Sequence, residues 1–309
     1  LHRSTDGSGP RCSASFDFRK NCIRINYEEF MKKLFDEISA DCAKIVTQKY
    51  STSFSLAVKL LSSKIRGDIY NIYGFVRLAD EIVDSFHDYQ KQILFDRFDQ
   101  AYKESLQDGI SLNPVLNAFQ QTVKKHGIDH KQIESFMASM RADLQKETYQ
   151  SKKEIDQYVY GSADVVGLMC LKVFVQGDEQ KYEHLKGTAM KLGSAFQKVN
   201  FLRDLKDDYE ILNRSYFPNV DLKNITQIQK DLIIDEIKED FSDAFKGIIQ
   251  LPVEAKLGVY VAYKYYTRLL KKLERTPIDK LLKERVRVSN ASKMVILGKS
   301  YLRFRLNMF

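Results

Sequence analysis

Apolar residues recur every three or four positions along almost the whole chain, which is the period of an α-helix. Leu34, Ile38, Cys42, Ile45 and Lys49 mark one stripe of a first helix. Further helices are predicted over residues 64–86, 93–106, 130–147 and 180–212, with Asp129 and Ser151 placed as helix caps. No alternating run of strand length and no hairpin dipeptide occurs. The pattern therefore predicts an all-α protein, a compact bundle of many helices.

The chain is predicted to form one domain that covers residues 31–309. Its 309 residues include only 5 prolines and 14 glycines, and no linker or internal repeat divides them. Residues 1–30 lack a helical period, and a clean amphipathic pattern opens at Met31. We therefore expect residues 1–30 to be a disordered or non-native extension.

The net charge of +8 is spread along the sequence without a basic run. This balance favours phosphates or an anionic membrane surface as partners, and it argues against nucleic acid. The four cysteines have neither disulfide-framework nor zinc spacing, so we expect a reduced, cytoplasmic protein. No apolar run reaches 18 residues, so contact with the inner face of a membrane would be peripheral. The sequence does not indicate the oligomeric state.

Residues 72–84, IYGFVRLADEIVD, place two carboxylates on one helical face. Tyr73, Arg77, Asp80 and Asp84 fall at i, i+4, i+7 and i+11, and the two aspartates lie about 6 Å apart along the helix. A single pair of this kind is usually a solvated surface feature, so it is weak evidence alone.

A second stretch, QKVNFLRDLKDD at 197–208, repeats this arrangement. Gln197, Asn200, Asp204 and Asp208 form another stripe that ends in two aspartates. If the two helices face each other, four carboxylates converge and require cations between them. Hard oxygen ligands favour Mg²⁺, with Mn²⁺ as the alternative, and Mg²⁺ commonly joins carboxylates to substrate phosphates. The two stripes therefore predict a metal site for a diphosphate.

Four stretches together resemble the head-to-head isoprenyl diphosphate synthases, the phytoene/squalene synthase family. They are YSTSF at 50–54, IYGFVRLADEIVD at 72–84, YVYGSADVVGLM at 158–169, and LGSAFQKVNFLRDLKDDYEILNRSYFP at 192–218. The resemblance extends over about residues 31–293 and includes Arg285 and Arg287. It implies the isoprenoid synthase fold, a single helical bundle with a central cleft, and prenyltransferase activity.

The resemblance also implies roles for individual residues. Metal ligands would be Asp80, Asp84, Asn200, Asp204 and Asp208. Substrate would be bound by Ser51, Ser53, Phe54, Arg77, Tyr158, Gln197, Asn200 and Arg285. Tyr73, Arg77, Tyr216 and Tyr266 would act around the reacting groups. The chain departs from the family in three places: Thr52 stands where lysine is usual, Glu81 gives an Asp-Glu-x-x-Asp motif, and Asp164 stands where glycine is usual.

The implied reaction joins two molecules of geranylgeranyl diphosphate through a cyclopropyl diphosphate to give phytoene, as in carotenoid biosynthesis. No NADPH is expected for that reaction. One alternative is a dehydrosqualene or squalene synthase that uses farnesyl diphosphate, because one sequence does not reveal the depth of the pocket. Less favoured alternatives are a head-to-tail chain elongator and a helical scaffold without activity.

Overall fold

The computed structural model describes residues 18–145, 149, 151–206, 216 and 225–308, with side chains from residue 27 onward. Within these residues the regular structure is entirely helical, so the predicted all-α class is confirmed. The helices are α1 Phe18–Tyr50, α2 Thr52–Val58, α3 Ser63–Asp84, α4 Lys91–Asp108, α5 Pro114–His126, α6 His130–Asp143, α7 Lys152–Val159, α8 Val165–Val175, α9 Glu179–Arg203, α10 Gln227–Ile248, α11 Val253–Arg275, α12 Ile278–Leu281 and α13 Asn290–Arg305.

Helix α1 begins at Phe18, thirteen residues before the start that the pattern at Met31 predicts. The stripe that contains Leu34, Ile38 and Ile45 lies on its exposed face. The buried face instead carries Ser39, Ala43 and Thr47, because small side chains allow close contact with α3. An added Cβ at Gly74 of α3 would come within 3.0 Å of the Ala43 Cβ. Whether residues 1–30 belong to the native chain stays a prediction.

Helix α3 lies at the centre of the larger hydrophobic core and carries the first aspartate motif at its end. Phe75 is fully buried there, and its ring stacks on Phe119 with centroids 3.9 Å apart. The predicted caps form: Asp129 accepts a hydrogen bond from the backbone N–H of Lys131 at 2.9 Å, and Ser151 accepts one from Glu154 at 3.3 Å. These hydrogen bonds fix the starts of α6 and α7.

One continuous helical stretch, Lys152–Val175, is long and apolar enough by length and composition to cross a membrane. It comprises α7, a π-helical turn at Tyr160–Asp164, and α8. Fifty-six per cent of its most apolar window is buried inside the protein. It packs against α9, α6 and α3, so its apolar character is that of a central core helix.

The π-helical turn contacts α9 almost backbone to backbone. At Gly193 of α9 an added Cβ would lie 2.8 Å from the carbonyl oxygen of Ala163. Beside it, Ser194 donates a hydrogen bond of 2.7 Å to the buried carboxylate of Asp164. Burial raises the pKa of Asp164 to about 6, although the bond from Ser194 opposes the shift. This contact fixes α9, and therefore the second aspartate motif, against α8.

We predict that Gly193→Ala destabilises the protein by about 2 kcal/mol, because the new methyl group meets backbone that cannot move aside. Gly187 lies on the same helix with nothing within 4 Å of an added Cβ, and it provides the matched control. Gly187→Ala should stabilise by about 0.5–1 kcal/mol through lower chain entropy in the unfolded state. Urea unfolding of both variants measures the difference, and equal effects would contradict the close contact.

We predict that Asp164→Asn becomes more stable relative to the wild type as pH rises. The folded pKa lies above the unfolded one, so ionisation of Asp164 removes stability between about pH 4 and pH 6. Asparagine cannot ionise, and the difference in unfolding free energy should grow by about 3 kcal/mol across that window. Unfolding at pH 4 and pH 7.5 tests this, with the exposed Asp108→Asn as the control. A pH-independent difference would refute it.

Candidate active site

The predicted aspartate motifs lie at the C-terminal ends of α3 and α9. Asp80 and Asp84 belong to the last turn of α3, and Asp204 is the residue that caps α9. Unpaired carbonyl groups give a helix C-terminus a partial negative charge, which disfavours carboxylates there. Cations must therefore compensate the charge at both helix ends.

Arg77 provides this compensation on α3. Its guanidinium forms ion pairs with Asp80 and Glu81, and it lies over the Tyr50 ring at 4.6 Å from the centroid. Burial opposes the positive charge, but the two carboxylates outweigh burial and raise the pKa of Arg77. Arg77 is thus a permanent cation beside the first aspartate motif.

Two arginines meet Asp204 at the end of α9. The Nε of Arg203 lies 2.9 Å from Oδ1 of Asp204, and the Nε of Arg285 lies 2.7 Å from the same oxygen. Arg285 comes from the segment after α12, so this contact ties that segment to α9. Arg285, which the family resemblance assigns to diphosphate binding, therefore forms an ion pair with Asp204 in this structure.

The donor set suits a hard divalent cation, although the full set is not assembled among the described residues. Asp80, Asp84 and Asp204 supply carboxylate oxygens, and Asn200 supplies an amide oxygen. Within the described ranges, no group of three or more His, Cys, Asp or Glu side chains is close enough to hold a metal ion. Asp208 lies outside those ranges. The metal assignment stays a prediction supported by the chemistry of these oxygen donors.

A long apolar cavity extends inward from these motifs. It lies between α2, α3, the π-helical turn, α8, α9, α10 and α11. Helix α9 lines it with one continuous face: Leu185, Thr188, Ala189, Leu192, Gly193, Phe196, Gln197 and Asn200. These positions extend over about 22 Å of the helix axis, at 1.5 Å per residue. The cavity therefore has the shape and lining of a site for a long hydrocarbon chain.

Five of the predicted site residues lie together on the wall of this cavity. Phe54, Tyr73, Gln197, Asn200 and Tyr266 all line it. The Tyr266 hydroxyl donates to Oδ1 of Asn200 at 3.4 Å, and the Tyr73 ring stacks on Phe54 with centroids 4.3 Å apart. Burial raises the pKa of the Tyr73 hydroxyl, which keeps it neutral.

Ser51 and Ser53 lie at the start of α2, close to Phe54 on the cavity wall. Ser51 caps α2 by accepting a hydrogen bond from Phe54 N–H at 3.4 Å, and its side chain also hydrogen-bonds Tyr73. Ser53 is half-buried and does not line the cavity. Ser51 thus orients Tyr73, and its contact with a diphosphate stays a prediction.

Tyr158 and Tyr216 lie apart from the cavity, in an aromatic cluster behind α9. The Tyr216 ring stacks on Phe201 with centroids 4.1 Å apart, and Tyr158 donates a hydrogen bond of 2.7 Å to Asp143. Burial raises the pKa of Tyr158 well above its ordinary value. Both side chains support α9 in this structure, and their contacts with substrate stay predictions.

Three side chains at the site were not found from the sequence. Phe196 lines the cavity and stacks on Tyr266 with centroids 4.0 Å apart, and its helical spacing before Asn200 could have revealed it. Tyr50 covers Arg77 through a tertiary contact that has no local signal. Ser162 lines the cavity with a buried hydroxyl that has no hydrogen-bond partner among the described residues. Residue spacing does not predict a π-helical turn, so the sequence did not indicate that Ser162 lies at the cavity.

Known proteins resemble the chain in sequence. The squalene/phytoene synthase family matches residues 47–292. The chain is 28% identical over 290 residues to a chloroplastic phytoene synthase of Daucus carota, covering 87% of this chain and 71% of that protein. It is 27% identical over 293 residues to a phytoene synthase of Arthrospira platensis, covering 87% of this chain and 94% of that protein.

Solved structures show the same fold. A dehydrosqualene synthase crystallised with a ligand superposes with a TM-score of 0.74 at 18% identity, over 88% of this chain and 98% of that one. A squalene synthase from Alicyclobacillus acidocaldarius gives a TM-score of 0.67 at 19% identity, over 77% of this chain and 93% of that one. At these identities the structures establish the isoprenoid synthase fold alone. Together with the family match, they establish that the chain belongs to the squalene/phytoene synthase family.

Proposed function

We propose that this protein is a phytoene synthase, which condenses two molecules of geranylgeranyl diphosphate head to head. The observation that carries the proposal is the long apolar cavity lined by Tyr73 and Asn200, because Arg77 and Asp204 follow these two residues by four positions on α3 and at the end of α9. Membership of a family of prenyltransferase-type enzymes that use isoprenyl diphosphates supports it. The C20 substrate itself is part of the proposal.

The polar end of the cavity suits a diphosphate. Arg77, Arg203 and Arg285 bring three guanidinium groups to the aspartate motifs, and guanidinium is a strong partner for phosphate oxygens. Asp80, Asp84, Asn200, Asp204 and Asp208 would hold Mg²⁺, or Mn²⁺ in its place. The bound metal would neutralise the charge that develops on the departing diphosphate. When diphosphate arrives, the arginines exchange carboxylate partners for phosphate partners.

The length of the cavity favours a C20 chain. The lining face of α9 continues without a bulky polar interruption from Asn200 to Leu185, about 22 Å along the axis. Ala189 and Gly193 keep its middle wide. A C15 chain would leave the far end, around Leu185 and Leu251, without contact.

The first chemical step breaks the C–O bond of one substrate, and the electron pair leaves with the diphosphate. The allylic cation that remains is attacked by the double bond of the second molecule, and loss of a proton closes a cyclopropyl diphosphate. A second ionisation, a rearrangement and a second proton loss give the triene. Stacked pairs such as Phe54–Tyr73 and Phe196–Tyr266 present ring faces and exclude water, both of which favour a carbocation.

We assign proton removal to the released diphosphate. The raised pKa of Tyr73 makes its phenol a hydrogen-bond donor and a poor base. Tyr266 already donates its hydroxyl proton to Asn200. Diphosphate is the strongest base produced at the site, and it is held beside the cation by the arginines.

The main alternative is condensation of farnesyl diphosphate to dehydrosqualene or, with NADPH, to squalene. This alternative is supported by the solved structures of similar fold, which include a dehydrosqualene synthase and a squalene synthase. A helical scaffold without activity would also keep the fold. No NADPH requirement is expected if the protein makes phytoene.

Product identification separates these possibilities. Purified protein is incubated with Mg²⁺ and either geranylgeranyl or farnesyl diphosphate, with and without NADPH, and the hydrocarbon is identified by mass. We expect a C40 triene that forms without NADPH. A C30 product alone would move the substrate to farnesyl diphosphate, and no hydrocarbon from folded protein would favour the scaffold.

We predict that Asp84→Asn lowers turnover by at least about 10³-fold. The substitution removes a carboxylate ligand of the metal that would bind the diphosphate at the end of α3. The exposed Asp88 lies one turn beyond and is the matched control, since Asp88→Asn removes the same charge outside the motif. Turnover and helix content are measured for both. Activity of Asp84→Asn close to that of Asp88→Asn would refute the metal assignment.

We predict that Ala189→Phe shifts the preference from the C20 to the C15 substrate by about tenfold or more in kcat/KM, because the ring blocks the inner part of the cavity. Competition between the two diphosphates gives this ratio directly. The control is Ala189→Ser, which changes the same position but keeps the cavity open. An unchanged ratio in Ala189→Phe would mean that the chain does not extend along α9.

A further inference from the structure

Helix α13 has apolar side chains on two opposite faces. Its inner face, with Ile296, Leu297 and Phe304, packs against Leu257, Val261 and Tyr265 of α11. Ser300 on the same side is buried. This face alone is sufficient to hold α13 on the bundle.

The apolar residues on the outer face of α13 are not explained by packing within the bundle. Met294, Val295, Tyr301, Leu302 and Leu306 are each between 50% and 65% exposed. They fall at i, i+1, i+7, i+8 and i+12, so they form one stripe along the helix. An apolar stripe of this length on a surface helix indicates an interaction site.

A basic stripe lies beside it on α11. Lys264, Arg268, Lys271 and Arg275 fall at i, i+4, i+7 and i+11. Arg268, Lys271 and Arg275 line a groove with Ser289 and Ser292 at the start of α13. None of these three has an acidic partner within the part of the chain that the structure describes. Burial lowers the pKa of Lys264, and the positive charges of Lys271 and Arg303 add to this shift.

The basic and apolar stripes form one surface. Lys299 and Arg303 follow Ser292 at i+7 and i+11, so they lie on the flank of α13 that faces the α11 stripe. Arg303 also donates to the Tyr260 hydroxyl of α11 at 3.3 Å. Residues 290–308 contain no aspartate or glutamate. The surface is therefore apolar at its outer edge and uniformly positive beside it.

Helix α1 provides a useful contrast. Its exposed apolar stripe, which includes Met31, Ile38 and Ile45, lies among acidic residues. Residues 27–45 contain five acidic and three basic side chains. A negatively charged partner would thus be repelled from α1 and attracted to α13.

We propose that the α11–α13 surface docks on an anionic lipid bilayer, with α13 lying in the plane of the interface. Apolar side chains on one face and Lys/Arg on the flank are the features of interfacial helices. Each basic residue near such a surface strengthens binding. The proposal does not depend on the identity of the substrate.

Docking in this orientation would bring the cavity close to the membrane. Leu56 of α2 and Leu60, just after this helix, pack on the α13 cluster, whereas Ala57 of α2 and Leu61 line the cavity. Only the α2–α11 layer then separates the hydrocarbon site from the bilayer. A water-insoluble product formed there would have a short path into lipid.

The test is vesicle flotation of the full chain. Vesicles of phosphatidylcholine alone are compared with vesicles that also contain phosphatidylglycerol, at low and high NaCl. We expect binding only to the anionic vesicles, and weaker binding at high salt. Equal binding to both vesicle types, or none to either, would overturn the proposal.

Variants separate the apolar contribution from the charge contribution. Leu302→Asp should lower the partition coefficient about tenfold or more, and Ile38→Asp on α1 is its matched control. The triple variant Arg268→Gln, Lys271→Gln, Arg275→Gln should lower it about 100-fold. The charge-preserving triple Arg268→Lys, Lys271→Arg, Arg275→Lys should bind as the wild type does.

Two results would contradict the assignment of this surface. The first is wild-type binding by Leu302→Asp with intact helix content. The second is a dimer in sedimentation that Leu302→Asp dissociates while vesicle binding is absent, which would make a second copy the occupant.

Discussion

Carboxylates at the negative ends of two helices constrain the rest of this structure. Asp80 and Asp84 at the end of α3, and Asp204 at the end of α9, lie where the helix carbonyl groups concentrate partial negative charge. Arg77 and Arg285 offset this charge, and the raised pKa of Arg77 reflects it. In the proposed reaction, these arginines would exchange their carboxylate partners for phosphate oxygens when a diphosphate and its metal bind. The bundle has to hold two helix ends in register for this to work.

The register is set by close packing on both sides of the cavity. Gly74 allows α1 to approach α3, and Gly193 allows α9 to approach the π-helical turn. Because these contacts involve backbone, they fix helix positions more tightly than long side chains would. Gly193 also lines the cavity, so the contact that positions α9 forms part of the cavity wall. Asp164 and Ser194 form a buried polar pair beside this contact.

The sequence was most informative where function depends on helical spacing. Tyr73 of the first stripe and Gln197 and Asn200 of the second line the same cavity, because each of these residues lies within a single helix. The sequence was less informative where contacts between helices decide which face of a helix is buried. The apolar stripe of α1 that contains Ile38 is exposed, because the small residues on the opposite face pack more closely against α3. Tyr158 is in a core cluster and not in the cavity, a distinction that residue type cannot make. Helix α13 has two apolar faces, and only its packing against α11 shows which of them is buried.

In the proposed complex, a diphosphate binds between the ends of α3 and α9 with its hydrocarbon chain along α9. The decisive measurement is a crystal structure with Mg²⁺ and the unreactive thiolodiphosphate analogue of geranylgeranyl diphosphate. We expect diphosphate oxygens beside Arg77 and the aspartate motifs, and a chain that passes Ala189 toward Leu185. A diphosphate bound elsewhere, such as in the basic groove of Arg268 and Lys271, or a chain outside the cavity, would refute this mode of binding.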